Sequence, residues 1–200
     1  MFDFSNEDYT GENKFAEINP GLNVPAILDK VTVDDQSGDL IFSFKGTETG
    51  NTGNFNHRVW ANNFDPEHEY YNKDRAVRVI NSTKHILKAF LHVDKVDAIK
   101  SKDWLGFAKS IVKAMPEKVY KEKGLKLKIV LNNSNKPVLP TFPDFISSDL
   151  MPKTFKLNTK VNPNTGYAYE RIAPIELGNN SATESFDSLA DTDAPTPAFG

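Results

Sequence analysis

The spacing of apolar residues along this chain changes period twice, and that switch narrows the folds open to it. In "LNVPAILDKVTVDDQSGDLIFSFKG" the apolar content is β-branched at Val24, Ile27, Val31 and Val33. Leu40, Phe42 and Phe44 then alternate with Ile41, Ser43 and Lys45. Alternation with a period of two marks a strand with two different faces. "DDQSGD" between the two runs supplies turn chemistry, with Gly38 able to take a positive φ. A polar loop with three glycines, "GTETGNTGN", leads to a third strand, "FNHRVWAN". Its faces are Phe55, His57 and Val59 against Asn56, Arg58 and Trp60.

The period then becomes helical. Between residues 74 and 93, Ala76, Val79, Ile80, Ile86, Leu87, Phe90 and Leu91 form one stripe. "SKDWLGFAKSIVKAM" reads as a second helix that Ser101 or Asp103 can cap. "PEKVYKEKG" suits a short third one, with Pro116 at its start and Gly124 at its end. From Leu125 the period returns to two: Leu125, Leu127, Ile129 and Leu131 alternate with Lys126, Lys128 and Val130. "PVLPTFPDFI" reads as an extended return whose prolines keep it out of a central strand. "TFKLNTKV", the "NPNTG" turn and "YAYERIAPIEL" read as a last hairpin or a peripheral arm. Beyond Gly178 no periodic apolar face remains, and a disordered tail is expected.

Three strands, a helical insertion and one or two further strands fit a mainly β fold of the OB type. That is a five-stranded barrel with α-helices between strands 3 and 4. An unrelated α+β sheet with one helical layer is the alternative. The expected organisation is an acidic extended segment at 1–20, a domain at 21–178 with its helical insertion at about 74–123, and an acidic tail at 179–200. With 200 residues, 38% of them hydrophobic, the chain has material for one core of ordinary size.

The formal net charge of −3 hides an asymmetry. Residues 1–13 hold four acidic and no basic side chains, and residues 179–200 do the same. Residues 73–128, in contrast, hold 15 Lys and Arg against 6 Asp and Glu. Acidic ends beside a basic body are the pattern of interaction tails next to a polyanion surface. No apolar run approaches the length of a membrane span, so no membrane partner is expected, and a soluble cytoplasmic protein is.

Nothing in the sequence assembles an active site. With no cysteine, disulfides, thiolate zinc sites and thiol catalysis are excluded. His57, His68, His85 and His92 form no H-x-x-x-H pair, so no metal is expected on them. "GTETGNTG" lacks the G-K-[ST] ending of a phosphate loop. A binding protein with no enzymatic activity and no cofactor is the expectation. Single-stranded nucleic acid asks for a cationic groove with aromatic faces for its bases. Lys45, Arg58, Trp60, Lys126 and Lys128 are the candidate contacts. Trp60 stands out because it shares a strand face with Arg58 and Asn56. In the tail, Asp187, Asp191, Asp193 and Phe199 are the candidates for partner docking and for competition with nucleic acid.

The layout of "GLNVPAILDKVTVDDQSGDLIFSFKG", "FNHRVWA", the helical insertion and "KLKIVLNNSNKPVLPTFPDFI", with the acidic tail and its near-terminal Phe, resembles the single-stranded DNA-binding proteins of tailed phages. The resemblance covers roughly residues 20–145 and the end of the chain. It implies an OB-fold and non-specific coating of single-stranded DNA in replication, recombination and repair, in the cytoplasm of an infected host. It also implies a tail that docks on a polymerase, primase or helicase. The acidic run is sparser here than in such tails, and Gly200 follows the Phe. A homodimer is compatible with this reading. Two rivals predict different behaviour: a virion structural or assembly protein that binds no nucleic acid, and a metal-dependent nuclease built on Asp34 and Asp35.

Overall fold

A computed structural model describes residues 17–140 and 144–175. The acidic N-terminal stretch up to residue 16 and the tail with Asp187, Asp191, Asp193 and Phe199 lie outside the described residues.

The chain is mainly β, and its core is a nearly closed five-stranded antiparallel barrel with a few helices. Strands β1 (Gly21–Val33), β2 (Leu40–Gly46) and β3 (Asn54–Val59) form a meander. β4 (Gly124–Leu131) lies on the other side of β1. The two-residue strands β5 (Pro137–Val138) and β6 (Ile146–Ser147) both pair with β4. The long first strand serves two ladders. Residues from Gly21 to Ile27 pair with β4, and those from Ala26 to Val33 pair with β2. Register shifts between Gly21 and Val24 and between Leu28 and Lys30 let β1 curl from one ladder to the other. Asn23, at the first shift, takes a φ of 57°, a conformation that Asn tolerates better than most residues.

The expected alternation holds in β2, where Leu40, Phe42 and Phe44 are buried and Lys45 is exposed. They meet Leu28, Val31, Phe55, Val59, Leu127, Ile129, Phe145 and Ile146 in one core. Four helices lie between β3 and β4: α1 (Lys73–Lys88), α2 (Val93–Ala98), α3 (Trp104–Ala114) and α4 (Glu117–Tyr120). Asn72 caps α1 by accepting the Arg75 N–H, and Asp103 caps α3 by accepting from Gly106. α1 buries Ile86 and Leu87, and α3 buries Phe107, Ala108 and Ile111. The stripe read over 74–93 is not one helix. The backbone tightens after Lys88, with Ala89 and Phe90 donating to carbonyls three residues back. The Ser148 hydroxyl takes the carbonyl of Ala89 at 2.7 Å, so the chain turns there and α2 starts afresh.

On β4 the outward face departs from the expected pattern. Lys126 is exposed, but Lys128 and Val130 are buried, because the segment from about residue 152 to 171 packs over them. This segment forms a narrow hairpin-like arm. Glu170 N–H donates to the carbonyl of Asn158, Tyr169 N–H to that of Lys160, and Asn162 N–H to that of Tyr167 around the "NPNTG" turn. Phe155, near the start of the arm, is buried. The arm is tied to the barrel where Leu131 N–H donates to the carbonyl of Arg171. The Asn135 amide completes the tie, donating to the carbonyl of Ile175 and accepting its N–H.

Gly46 sits where the backbone leaves no room for a side chain. It is buried at the end of β2, its N–H donates to the carbonyl of Gly53 at 2.9 Å, and a Cβ there would lie 1.9 Å from the carbonyl oxygen of Asn51. Backbone rather than a movable side chain occupies that space. Gly46→Ala is therefore expected to lower stability by about 1–3 kcal/mol, the range for overpacking, read as a reduced urea midpoint with an unchanged slope. A midpoint equal to wild type would show that the loop at residue 51 yields freely.

Candidate nucleic-acid interface

β3 ends in a residue pair held in place from behind. Asp39, only 2% exposed and just before β2, accepts from Arg58 Nη1 at 2.9 Å and from the backbone N–H of Ala61 at 2.7 Å. The second contact fixes the 3-10 turn Ala61–Phe64 that follows the strand. Asp34 approaches the same guanidinium at 3.8 Å. Arg58 in turn lies over the Trp60 ring, 5.1 Å from its centroid. Trp60 remains 54% exposed. A cation against one face of an indole leaves the other face available for a further flat group.

This pair forms one wall of a cleft of about 390 Å³. His57, Arg58, Val59, Trp60 and Asn63 line it from β3 and the 3-10 turn. Arg75, Arg78, Val79 and Ser82 face them from α1, and Leu139 and Pro140 from the segment after β5. The cleft lies at the seam of the barrel: among the described residues no ladder joins β3 to β5 or β6. Three guanidinium groups and an exposed indole line it, and among the described residues no carboxylate does. Arg75 and Arg78 are three residues apart, one turn along α1, so both project to the same side.

The sequence-predicted contacts divide. Arg58 and Trp60 meet at the cleft. Lys45 is exposed on the same outer face of the β2–β3 pair, but it stands opposite Asn54, whereas Ile41 stands opposite Arg58. That puts Lys45 about 13 Å along the strand from the cleft. Lys126 is exposed beside Pro25 on the far side of β1, about 10 Å from the line of β2. Lys128 must be withdrawn as a surface contact. It is 5% exposed, and its Nζ donates to both carboxylate oxygens of Glu170 at 2.9 Å and to the carbonyl of Lys156 at 3.2 Å. A buried pair like this one is spent on structure, since stranding one of its charges costs several kcal/mol. Arg75 and Arg78 were missed by sequence reading, although their one-turn spacing on an expected helix was visible. The role of Asp39 had no signal, because a carboxylate after a turn reads as turn chemistry.

The two tryptophans differ. Trp104 stacks on Phe64 with centroids 4.1 Å apart, and its indole N–H donates to the carbonyl of Gly38 at 2.9 Å. Its ring pins α3 to the β1–β2 turn, so Trp60 is the one placed to report on a ligand. Asp34 spends an oxygen on that turn, accepting the N–H groups of Gln36 and Ser37, and these bonds hold its carboxyl below the usual range.

His57 keeps a partly exposed edge, but its ring lies inside the cleft wall beside Phe42, and burial pushes its pKa down to about 4. At neutral pH the positive charge of the cleft is therefore that of its arginines. The unfolded chain takes a proton on this residue near pH 6.5, and the folded chain only near 4. The neutral ring's contribution to stability is complete above pH 6.5 and is lost as the pH falls toward 4. The loss is on the order of 2 kcal/mol, allowing for the exposed edge. His85, also lowered by burial, adds in the same sense. His57→Gln is expected to flatten this acid limb in urea unfolding followed from pH 7 to 4, and identical limbs would show that the ring charges without cost.

Comparison with protein-family models, with curated proteins and with solved structures gives no match to this chain.

Proposed function

We propose that the protein binds single-stranded DNA without sequence specificity. In this reading the cleft at the barrel seam holds bases against Trp60 and phosphates against Arg75 and Arg78. The observation that carries the reading is an exposed indole, backed by an arginine, opening on two more arginines with no carboxylate among the described lining residues. Stacking platforms beside a cationic track are what a strand with splayed bases requires, and they tolerate any sequence. The resemblance to phage single-stranded DNA-binding proteins extends this to a role in DNA replication and recombination. In that role the acidic tail competes with DNA and recruits replication proteins.

The three arginines have different duties. Arg58 is already paired with Asp39, so it adds little to phosphate binding and chiefly stiffens the indole. Arg75 and Arg78 are exposed and carry the phosphate contacts. Titration with oligo(dT), read by anisotropy at several salt concentrations, tests this. Trp60→Ala is expected to cost about 1–3 kcal/mol of binding with the salt slope kept. The Arg75→Ala/Arg78→Ala double variant is expected to flatten the slope of log K against log salt by about 1.4, or about 0.7 for each phosphate no longer neutralised. Arg58→Ala should weaken binding with little change in slope. No binding at low salt would sink the reading and favour the assembly protein instead.

A chain truncated after residue 178 tests the tail. Tighter, more salt-sensitive binding than that of the full chain is expected if the tail occupies the cationic surface. Unchanged affinity would leave the tail no role as a competitor.

A further inference from the structure

A second cleft, of about 230 Å³, adjoins the first. Leu139 and Pro140 line both, so the two share one stretch of floor. Leu131, Asn132 and Val138 extend that floor, and Asn158, Tyr169 and Arg171 of the arm form the opposite wall. The arm is anchored at several points. The Lys128–Glu170 pair, the backbone bond from Leu131 to Arg171 and the Asn135 amide all hold it against β4 and the turn that follows.

Three features of this second cleft suit the same ligand as the first. Tyr169 is 50% exposed, and among the described residues its ring has no aromatic or cationic partner. Its backbone N–H is bonded to Lys160, so the ring stands on an anchored chain rather than a loose one. The one carboxylate among the described lining residues, Glu170, is neutralised by Lys128, which leaves the charge of Arg171 uncancelled there. Arg171 itself lies over Tyr167, 5.8 Å from the ring centroid, and donates to the carbonyls of Asn132 and Ala173. A cation braced against an aromatic ring thus stands on the arm, as another does at the end of β3.

We propose that the second cleft is a further single-strand subsite: a strand seated on Trp60 crosses Leu139–Pro140 and places a later base on Tyr169. The inference rests on the binding function proposed above and gives the arm its purpose. Amide groups of Asn132, Asn133 and Asn158 there can bond to either base edges or phosphates, which keeps the subsite tolerant of sequence.

Anisotropy titrations with oligo(dT) of about 4 and about 16 nucleotides, the span of site sizes for such barrels, separate the two ideas. The full chain is used, with Trp60→Ala, Tyr169→Ala and Tyr169→Phe. Trp60→Ala is expected to weaken both lengths. Tyr169→Ala should weaken the long oligonucleotide roughly tenfold and leave the short one unchanged, while Tyr169→Phe, which keeps the ring, binds both like wild type. Wild-type affinity of Tyr169→Ala for the long strand, with Trp60→Ala still impaired, overturns the second subsite and leaves the first. Equal losses at both lengths overturn it too, since Tyr169 would then act through the fold of the first cleft. No binding of either length by the wild-type chain removes the binding function itself.

Discussion

Everything in this molecule is arranged around a first strand that must pair on both edges along different parts of its length. β1 gives its beginning to β4 and its end to β2, overlapping only near Ala26 and Ile27. A flat strand could not serve two ladders that diverge, so β1 carries two irregularities, one eased by the positive φ of Asn23. The resulting curl brings β3 round toward the segment after β5 without a ladder between them. The seam left there is the cleft, and α1 covers it with two arginines. The proposed binding surface is in this sense the unfinished edge of the barrel.

What the sequence made legible was what period and capping encode. The faces of β2 and the first three strands follow from alternation and turn chemistry, and the sequence narrowed the cap of α3 to Ser101 or Asp103, of which the structure uses Asp103. Arg58 and Trp60 could be placed together because residues two apart share a strand face. Lys128 went wrong for the same reason. Alternation puts it outward with Lys126, and it is outward, but the arm packs on that end of the face. Nothing local to "KLKIV" announces that a glutamate forty-two positions later will cover it. The break after Lys88 was hidden likewise, because the hydroxyl that takes the carbonyl of Ala89 belongs to Ser148. Long-range hydrogen bonds of this kind leave no trace in a periodic pattern.

Arg75 and Arg78 show the complementary limit. Their spacing was visible, but many helices carry two cations one turn apart as a solvated face. Only the position of α1 over the end of β3 turns the pair into part of a cleft with Trp60.

The clamp on Arg58 has a consequence for how a ligand meets the protein. A free arginine side chain holds up to about 2 kcal/mol of rotamer freedom, which a binding partner must ordinarily take away. Here the buried Asp39 has already removed much of it during folding, and its other oxygen holds the turn just past the indole. The proposed stacking surface is therefore preorganised: a base bound there would lose its own motion but need not quench that of the side chain behind the ring. Affinity at such a site depends less on the strength of any single contact than on entropy surrendered before the ligand arrives.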